Sequence, residues 1–323
     1  MTGLLADLTG GASLALAVNI GANNSAAEMG PAYGAGIRSR REAVGIIAVF
    51  CVLGAILAGH RVTHTISKGL VGGDALAAGG AALVVVLAAM TLIALANLAR
   101  IPIATSHAVV GSVVGMGLYR GAVNYPLLGA VVAWWLATPL ASFVISYLVG
   151  RLAYPRLYRG LAALGREHIV ARFLAAAVTV SSAWIAFSAG SNSLAKAMGP
   201  AVGAGVFAPA VGALVGGLGM ALGALAFGGR MIKTVGKEIT AICPLCAVLV
   251  QTISATIVFS ASRFGMPVSL AEIVTCSVVG FGAAANGIRD TAANHHVRRI
   301  ALLWPAAPVV AAGIAFGLQA VVR

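Results

Sequence analysis

Gly21-Ala-Asn-Asn-Ser-Ala-Ala-Glu-Met-Gly-Pro31 returns, 169 residues later, as Gly190-Ser-Asn-Ser-Leu-Ala-Lys-Ala-Met-Gly-Pro200. The register holds beyond the motif, because Gly34 and Gly36 fall on Gly203 and Gly205. Both copies are small, polar and rich in glycine, and both interrupt long apolar stretches. A repeat at this spacing means a chain built twice from one unit. Gly/Pro-interrupted hydrophobic segments in corresponding halves point to a binding site where two membrane-embedded repeats meet.

Composition supports the membrane setting. Of 323 residues, 60% are hydrophobic and only 9% charged, which does not fit a soluble domain of this length. Apolar runs such as 75–99 and 127–150 are long enough to cross a bilayer. The expected class is an all-α polytopic membrane protein. The N-terminus lacks a basic n-region and an A-x-A site, so the first apolar segment is expected to remain as a span. The net charge of +13 would suit a nucleic-acid partner, but the basic residues sit in short loops without interleaved aromatics. That is the pattern of the positive-inside rule, and no nucleic-acid binding is expected. Of the four cysteines, Cys243 and Cys246 have C-x-x-C spacing, yet they open an apolar span with no second pair. They are read, with Cys51 and Cys276, as packing thiols. No metal or cofactor is expected.

The loops place the spans. Arg38, Arg40 and Arg41 form one basic cluster. Arg151, Arg156, Arg159, Arg166 and Arg172 form a second, and Arg289, Arg298 and Arg299 a third. If all three face the cytoplasm, residues 5–36 cross as a broken helix, followed by 42–59, 74–99, 103–118 and 126–150. The second half repeats this as 174–205, 210–227, 238–262, 267–285 and 301–320. Five crossings per half give the halves opposite orientation and place both termini outside. The expected organisation is a first transmembrane repeat at 1–150, a basic cytoplasmic linker at 151–172 and an inverted second repeat at 173–323. The Arg38–Arg41 cluster corresponds to uncharged Phe207–Ala210, as expected if only one of the two loops is cytoplasmic. Broken helices of the two repeats would meet at a midplane site.

A second repeated element lies deeper in each half. Arg100-Ile-Pro-Ile-Ala-Thr-Ser-His107 matches Gly265-Met-Pro-Val-Ser-Leu-Ala-Glu272, with Gly115 and Gly117 falling on Gly280 and Gly282. A weaker echo pairs Thr65–Gly69 with Thr234–Glu238.

Charges inside membrane segments carry the chemistry, because each costs about 2.5–3.5 kcal/mol at the bilayer centre on insertion scales. Glu28, Lys196 and Glu272 lie in the repeated motifs, away from loops and span ends, and His107 aligns with Glu272. Asn23, Asn24, Ser25, Asn192 and Ser193 add hydrogen-bond donors. Thr105 and Ser106 precede a helical run and are placed to cap a half-helix, whose N-terminus offers free N–H groups and partial positive charge. The set suits an oxyanion. His60 and His64, at i and i+4, are the nearest approach to a ligand pair, and no Ser-His-acid order stands out. No enzyme is expected.

The duplicated Gly-Ala-Asn-x…Met-Gly-Pro motif and the Pro-x-x-Thr-Ser-His segment resemble the PiT family of inorganic phosphate transporters and its sulfate-permease relatives, over most of the chain. The resemblance implies an inverted-repeat transporter that holds its oxyanion between the signature motifs and the two Ser/Thr-rich segments. By position it adds Ser269 to Asn23, Asn192, Thr105 and Ser106 as substrate ligands. Leu270 and Ala271 depart from the family's second Ser/Thr-rich segment. Its phosphate-transporting members carry Gly-Ala-Asn-Asp-x-Ala-Asn in each repeat. Here Asn24 and Ser193 stand at the Asp positions, and Ala27 and Lys196 at the second Asn positions. Hydrogen phosphate carries P–OH protons and calls for an acceptor, whereas sulfate can only accept. Losing carboxylates and gaining Lys196 therefore favours sulfate, and removes oxygens that a sodium ion would prefer. The expectation is sulfate import by proton symport with alternating access, with Glu272 first, then Glu28 and His107, as proton-coupling groups. A Na⁺- or H⁺-coupled phosphate transporter and a passive oxyanion channel are the alternatives. The expected setting is a cell membrane, the inner membrane in a bacterium, with lipid as its surroundings. Sequence does not set the oligomeric state, for which a homodimer is the simplest assembly.

Overall fold

The computed structural model describes residues 3–37, 39–72, 74–77, 80–98, 103–228, 243–288 and 295–322. Among these it is helical, with one isolated β-bridge between Val71 and Val123. Lipid offers no partner for a free N–H or C=O, so a chain this apolar satisfies its backbone within helices. The elements are α1 (Gly3–Gly34), α2 (Arg40–Ala58), α3 (His60–His64), α4 (Ala81–Leu98), α5 (Thr105–Arg120) and α6 (Tyr125–Leu148). They continue as α7 (Tyr154–Ala163), α8 (Glu167–Gly203), α9 (Pro209–Gly223), α10 (Pro244–Arg263), α11 (Leu270–Asn286) and α12 (His295–Val321). Wide π-turns extend α3 over Thr65–Gly69, α6 over Val149–Ala153 and α9 over Ala224–Gly228. Among the described residues, eight helices are long and apolar enough to span a membrane, and large apolar side chains such as Leu136, Val180 and Val309 point outward. The protein is a multi-pass helical membrane protein.

Local signals start and stop these helices. Ser39 and Glu42 close a reciprocal capping box on α2. Asn124 caps α6 by accepting from the Leu127 N–H. α1 and α8 end in the same left-handed turn. Gly36 (φ 72°) and Gly205 (φ 75°) donate to Tyr33 and Val202, and the next N–H groups reach Ala32 and Ala201. Every one of these positions is related by the 169-residue offset.

The expected break within 5–36 and 174–205 is absent. α1 and α8 run unbroken through Gly21–Pro31 and Gly190–Pro200. Their motif glycines serve close approach instead. A Cβ on Gly21 would stand 2.1 Å from the Met220 carbonyl oxygen, and one on Gly190 would stand 1.9 Å from that of Cys51. Gly54 meets the Phe187 carbonyl and Gly223 the Val18 carbonyl in the same way, each at 1.9 Å. These contacts come in reciprocal pairs. Positions 21, 51, 18 and 54 plus 169 give 190, 220, 187 and 223, so α1 meets α9 as α8 meets α2. That is the isologous pattern of units related by a two-fold axis. Equivalent residues then touch on the axis itself, as Asn24 does with Ser193 and Cys51 with Met220.

The break falls instead at the second repeated element. α5 has 16 residues and α11 has 17, too short at 1.5 Å per residue for a core of about 30 Å. The segment from Val71 to Val123 also closes on itself. Gly72 donates to Ala122 and Asn124 to Leu70, beside the bridge. α4 and α5 therefore form a hairpin whose two ends lie side by side, and α5 is shorter than the full crossing expected at 103–118. Among the described residues of the expected span 74–99, 81–98 are helix. The stretch 151–172 holds the end of the π-turn, the exposed helix α7 and the first residues of α8. Arg38, Arg100, Pro102, Thr234–Glu238 and Arg289 lie outside the described residues.

Candidate functional site

The two signature motifs and the starts of α5 and α11 converge on one buried polar centre. Lys196, on α8, is among the largest fully buried side chains of the protein. Its ammonium donates to the Ser106 hydroxyl (2.9 Å), in the first turn of α5, and to the Val268 carbonyl (3.1 Å), just before α11. The Ser106 hydroxyl itself donates to Val268 O in a short contact that closes the triangle. One of the three N–H groups of Lys196 is left over.

The asparagines fix the surrounding walls. Asn24 Nδ2 donates to Ser193 Oγ at 2.8 Å, joining the motifs directly. Asn23 Nδ2 donates to Asn97 Oδ1, and Asn97 in turn donates to the Asn19 carbonyl. Asn192 Nδ2 donates to Ser262 Oγ and to Met266 O, while its Oδ1 accepts from the Val268 N–H. Asn23 and Asn192, equivalent by the offset, thus bind equivalent helix ends, Asn97 near the end of α4 and Ser262 near the end of α10. Ser25 differs, because its hydroxyl donates to Ala22 O within its own helix.

The half-helix starts are unequal. Ser269 caps α11, its Oγ accepting from the Glu272 N–H. The matching position of α5 is Ala104, which has no side-chain cap. Thr105 and Ser106, expected as caps, sit one and two residues too late. They are buried in the first turn, and Ser106 faces Lys196. The first-turn N–H groups of α5 therefore lack a side-chain acceptor at the place where an anion would find them.

The remaining ionisable groups complete the centre. Glu272 Oε1 lies 3.3 Å from His107 Nδ1, which also lies 3.1 Å from the Trp304 carbonyl. A carbonyl only accepts, so Nδ1 carries hydrogen. The ring rests on Trp135, with centroids 4.0 Å apart, and the Trp135 indole is fixed by donating to Pro267 O. Glu28 does not pair with Lys196 by hydrogen bonding, for both its carboxyl oxygens are buried without a partner. Glu28 and Glu272 are the acidic groups whose charges Lys196 feels. Asn23 Oδ1, His107 Nε2 and Glu272 Oε1 also have no hydrogen-bond partner. Buried polar atoms are nearly always partnered, so these acceptors are the groups of the centre open to a further hydrogen bond.

Asn97, Ser262, Gln251 and the Val268 carbonyl are structural members of the centre that the motifs did not reveal. Gln251, on α10, donates to Glu28 O and to Ser182 Oγ and accepts from Ser181. A glutamine inside an apolar span is itself a signal that sequence offered.

A family model described as the phosphate transporter family matches residues 20–315. The chain belongs to that family. It is 35% identical over 305 residues to the sulfate permease CysP of Bacillus subtilis (strain 168), covering 94% of this chain and 84% of that one. It is 27% identical to a candidate phosphate permease of Pyrococcus furiosus, covering 94% and 93% of the two chains. Among solved structures, one titled as the sodium-dependent phosphate transporter superposes with a TM-score of 0.79 at 24% identity, covering 98% of this chain and 99% of that one. That likeness gives the fold alone. The protein is an inorganic anion transporter of the phosphate transporter family.

Proposed function

We propose that the protein imports sulfate, coupled to protons, by rocking two inverted repeats about the buried centre. The observation that carries the substrate is Lys196, a fully buried ammonium held by a hydroxyl and a carbonyl, with no carboxylate hydrogen-bonded to it. A buried ammonium with no hydrogen-bonded counter-ion is costly, and a dianion that only accepts would take that place at its remaining N–H. Asn24 and Ser193, at positions where the family's phosphate carriers have Asp, add neutral donors in place of acceptors. The 35% identical relative named as a sulfate permease supports the same choice.

The coupling ion follows from energetics. A charge moved across 100 mV costs about 2.3 kcal/mol, so a dianion entering against that potential costs about 4.6 kcal/mol. Two protons travelling with it would cancel the cost. Glu272 and Glu28 are two carboxyls flanking Lys196, and each has buried oxygen without a hydrogen-bond partner. Glu272, beside His107, is the first carrier. Protonation removes its repulsion with the arriving dianion, and both leave once the repeats have rocked and exposed the centre to the cytoplasm. The reciprocal contacts across the 169-residue offset fit two repeats related by a two-fold axis, and the basic Arg38–Arg41 loop against uncharged Phe207–Ala210 supports their inversion.

The test is uptake of labelled sulfate into proteoliposomes, with and without an inward proton gradient, and with phosphate as competitor. Gradient-driven uptake that ignores excess phosphate is expected. Competition by phosphate, or a requirement for sodium, would favour the phosphate reading that the Pyrococcus relative suggests. Uptake that never exceeds equilibrium under a gradient would indicate a passive channel.

A further inference from the structure

A second basic cluster stands apart from the centre. α3 and the π-turn that extends it set His60, His64 and Lys68 four residues apart along one face, with Arg61 beside them. All four side chains are exposed. They line a cavity of about 790 Å³ whose other walls include Phe207, Phe264 and Gly265. None of its lining residues is acidic. Arg61 is fixed in this wall, because Nη1 donates to the Arg263 carbonyl at the end of α10 at 2.7 Å.

The cavity adjoins the buried centre through a few residues of backbone. Gly265 lines it; the next carbonyl, of Met266, accepts from Asn192, and the carbonyl of Val268 accepts from Lys196. Three residues of chain reach at most about 10 Å. Topology does not call for these cations. With Arg40 and Arg41 inside, α2 carries the chain to the opposite face, and the positive-inside rule asks for no Lys or Arg there. A concave, cationic wall set in low-dielectric surroundings concentrates anions and speeds their arrival, an effect that salt weakens.

We infer that this cavity is an outer binding site for the transported tetrahedral oxyanion, occupied before the anion reaches Lys196. The inference rests on the oxyanion reading above. Its test is the concentration dependence of sulfate uptake into liposomes of purely zwitterionic lipid, for the wild type, Lys68→Glu and Lys68→Arg, at low and high KCl. At low salt, Lys68→Glu should raise KM about tenfold with kcat kept, Lys68→Arg should stay near the wild type, and high salt should narrow the gap. An unchanged KM, or a fall in kcat alone, would overturn the inference. An effect of Lys68→Glu that appears only after anionic lipid is added would assign the cluster to lipid headgroups and also overturn it. Wild-type vesicles that take up neither sulfate nor phosphate would refute the oxyanion reading itself, visibly before any variant is compared.

Discussion

At the scale of the residue, the proposed import assigns substrate binding to Lys196 and coupling to Glu272. Lys196→Ala removes a charge-assisted donor from a fully buried place. Hydrogen bonds to charged groups contribute about 1.5–3 kcal/mol, so the KM for sulfate should rise roughly ten- to hundredfold. Lys196→Arg should recover part of it. Equal affinity in the alanine variant would take Lys196 out of the site. Glu272→Gln keeps the shape and removes the titration. Sulfate binding should survive, while the dependence of uptake on external pH flattens and sulfate-driven proton flux falls, both read with a pH-sensitive dye inside the vesicles. Uptake that retains its full pH dependence would move the carrier role to Glu28. The charged members of the centre were legible because ionisable groups in a span are rare and expensive. The Val268 carbonyl was not, because a backbone acceptor leaves no trace in residue type. The role of Ser25 was also not legible, since whether a small hydroxyl bonds its own helix or a neighbour depends on rotation about one bond.

At the scale of the element, the glycines decide how helices touch. Gly190→Ala would drive a Cβ to within 1.9 Å of the Cys51 carbonyl oxygen, backbone that cannot step aside. Overpacking of this kind costs about 1–3 kcal/mol or more. Gly45 lies in the exposed face of α2, where an added Cβ would meet nothing within 4 Å and the backbone is not left-handed. Gly45→Ala should be neutral or gain about 0.4–1 kcal/mol through the unfolded chain. Thermal unfolding in detergent, followed by size-exclusion chromatography, should therefore rank Gly45→Ala at or above the wild type and Gly190→Ala clearly below it. Equal midpoints for the two variants would mean that the α2–α8 contact is looser than described. The same glycines explain why the broken helix was expected in the wrong element. Gly, Asn and Pro in an apolar run suit both a helix break and a close helix contact, and only the partner backbone tells them apart. The true interruption, before Thr105 and Leu270, was marked by Pro102 and Pro267 and by the shortness of the runs that follow.

At the scale of the molecule, the duplication was legible in full from an offset of 169, and contacts between offset-related residues now place equivalents face to face. The orientation of the halves rests on parity. The ends of the α4–α5 hairpin lie side by side, so it leaves that parity unchanged whether or not its helices cross fully. With α1, α2 and α6 crossing once each, the number of passes is odd and the second repeat is expected to begin inverted. Arg41 and Ala210 stand at the same place in the two repeats and both are exposed. In a background with Cys51, Cys243, Cys246 and Cys276 replaced, Arg41→Cys should react with a membrane-impermeant maleimide only from the cytoplasmic side. Ala210→Cys should react only from outside. Labelling of both from one side would make the repeats parallel, and it would remove the mechanism in which one motion, performed in mirror fashion by two halves, opens the Lys196 centre first to one face and then to the other.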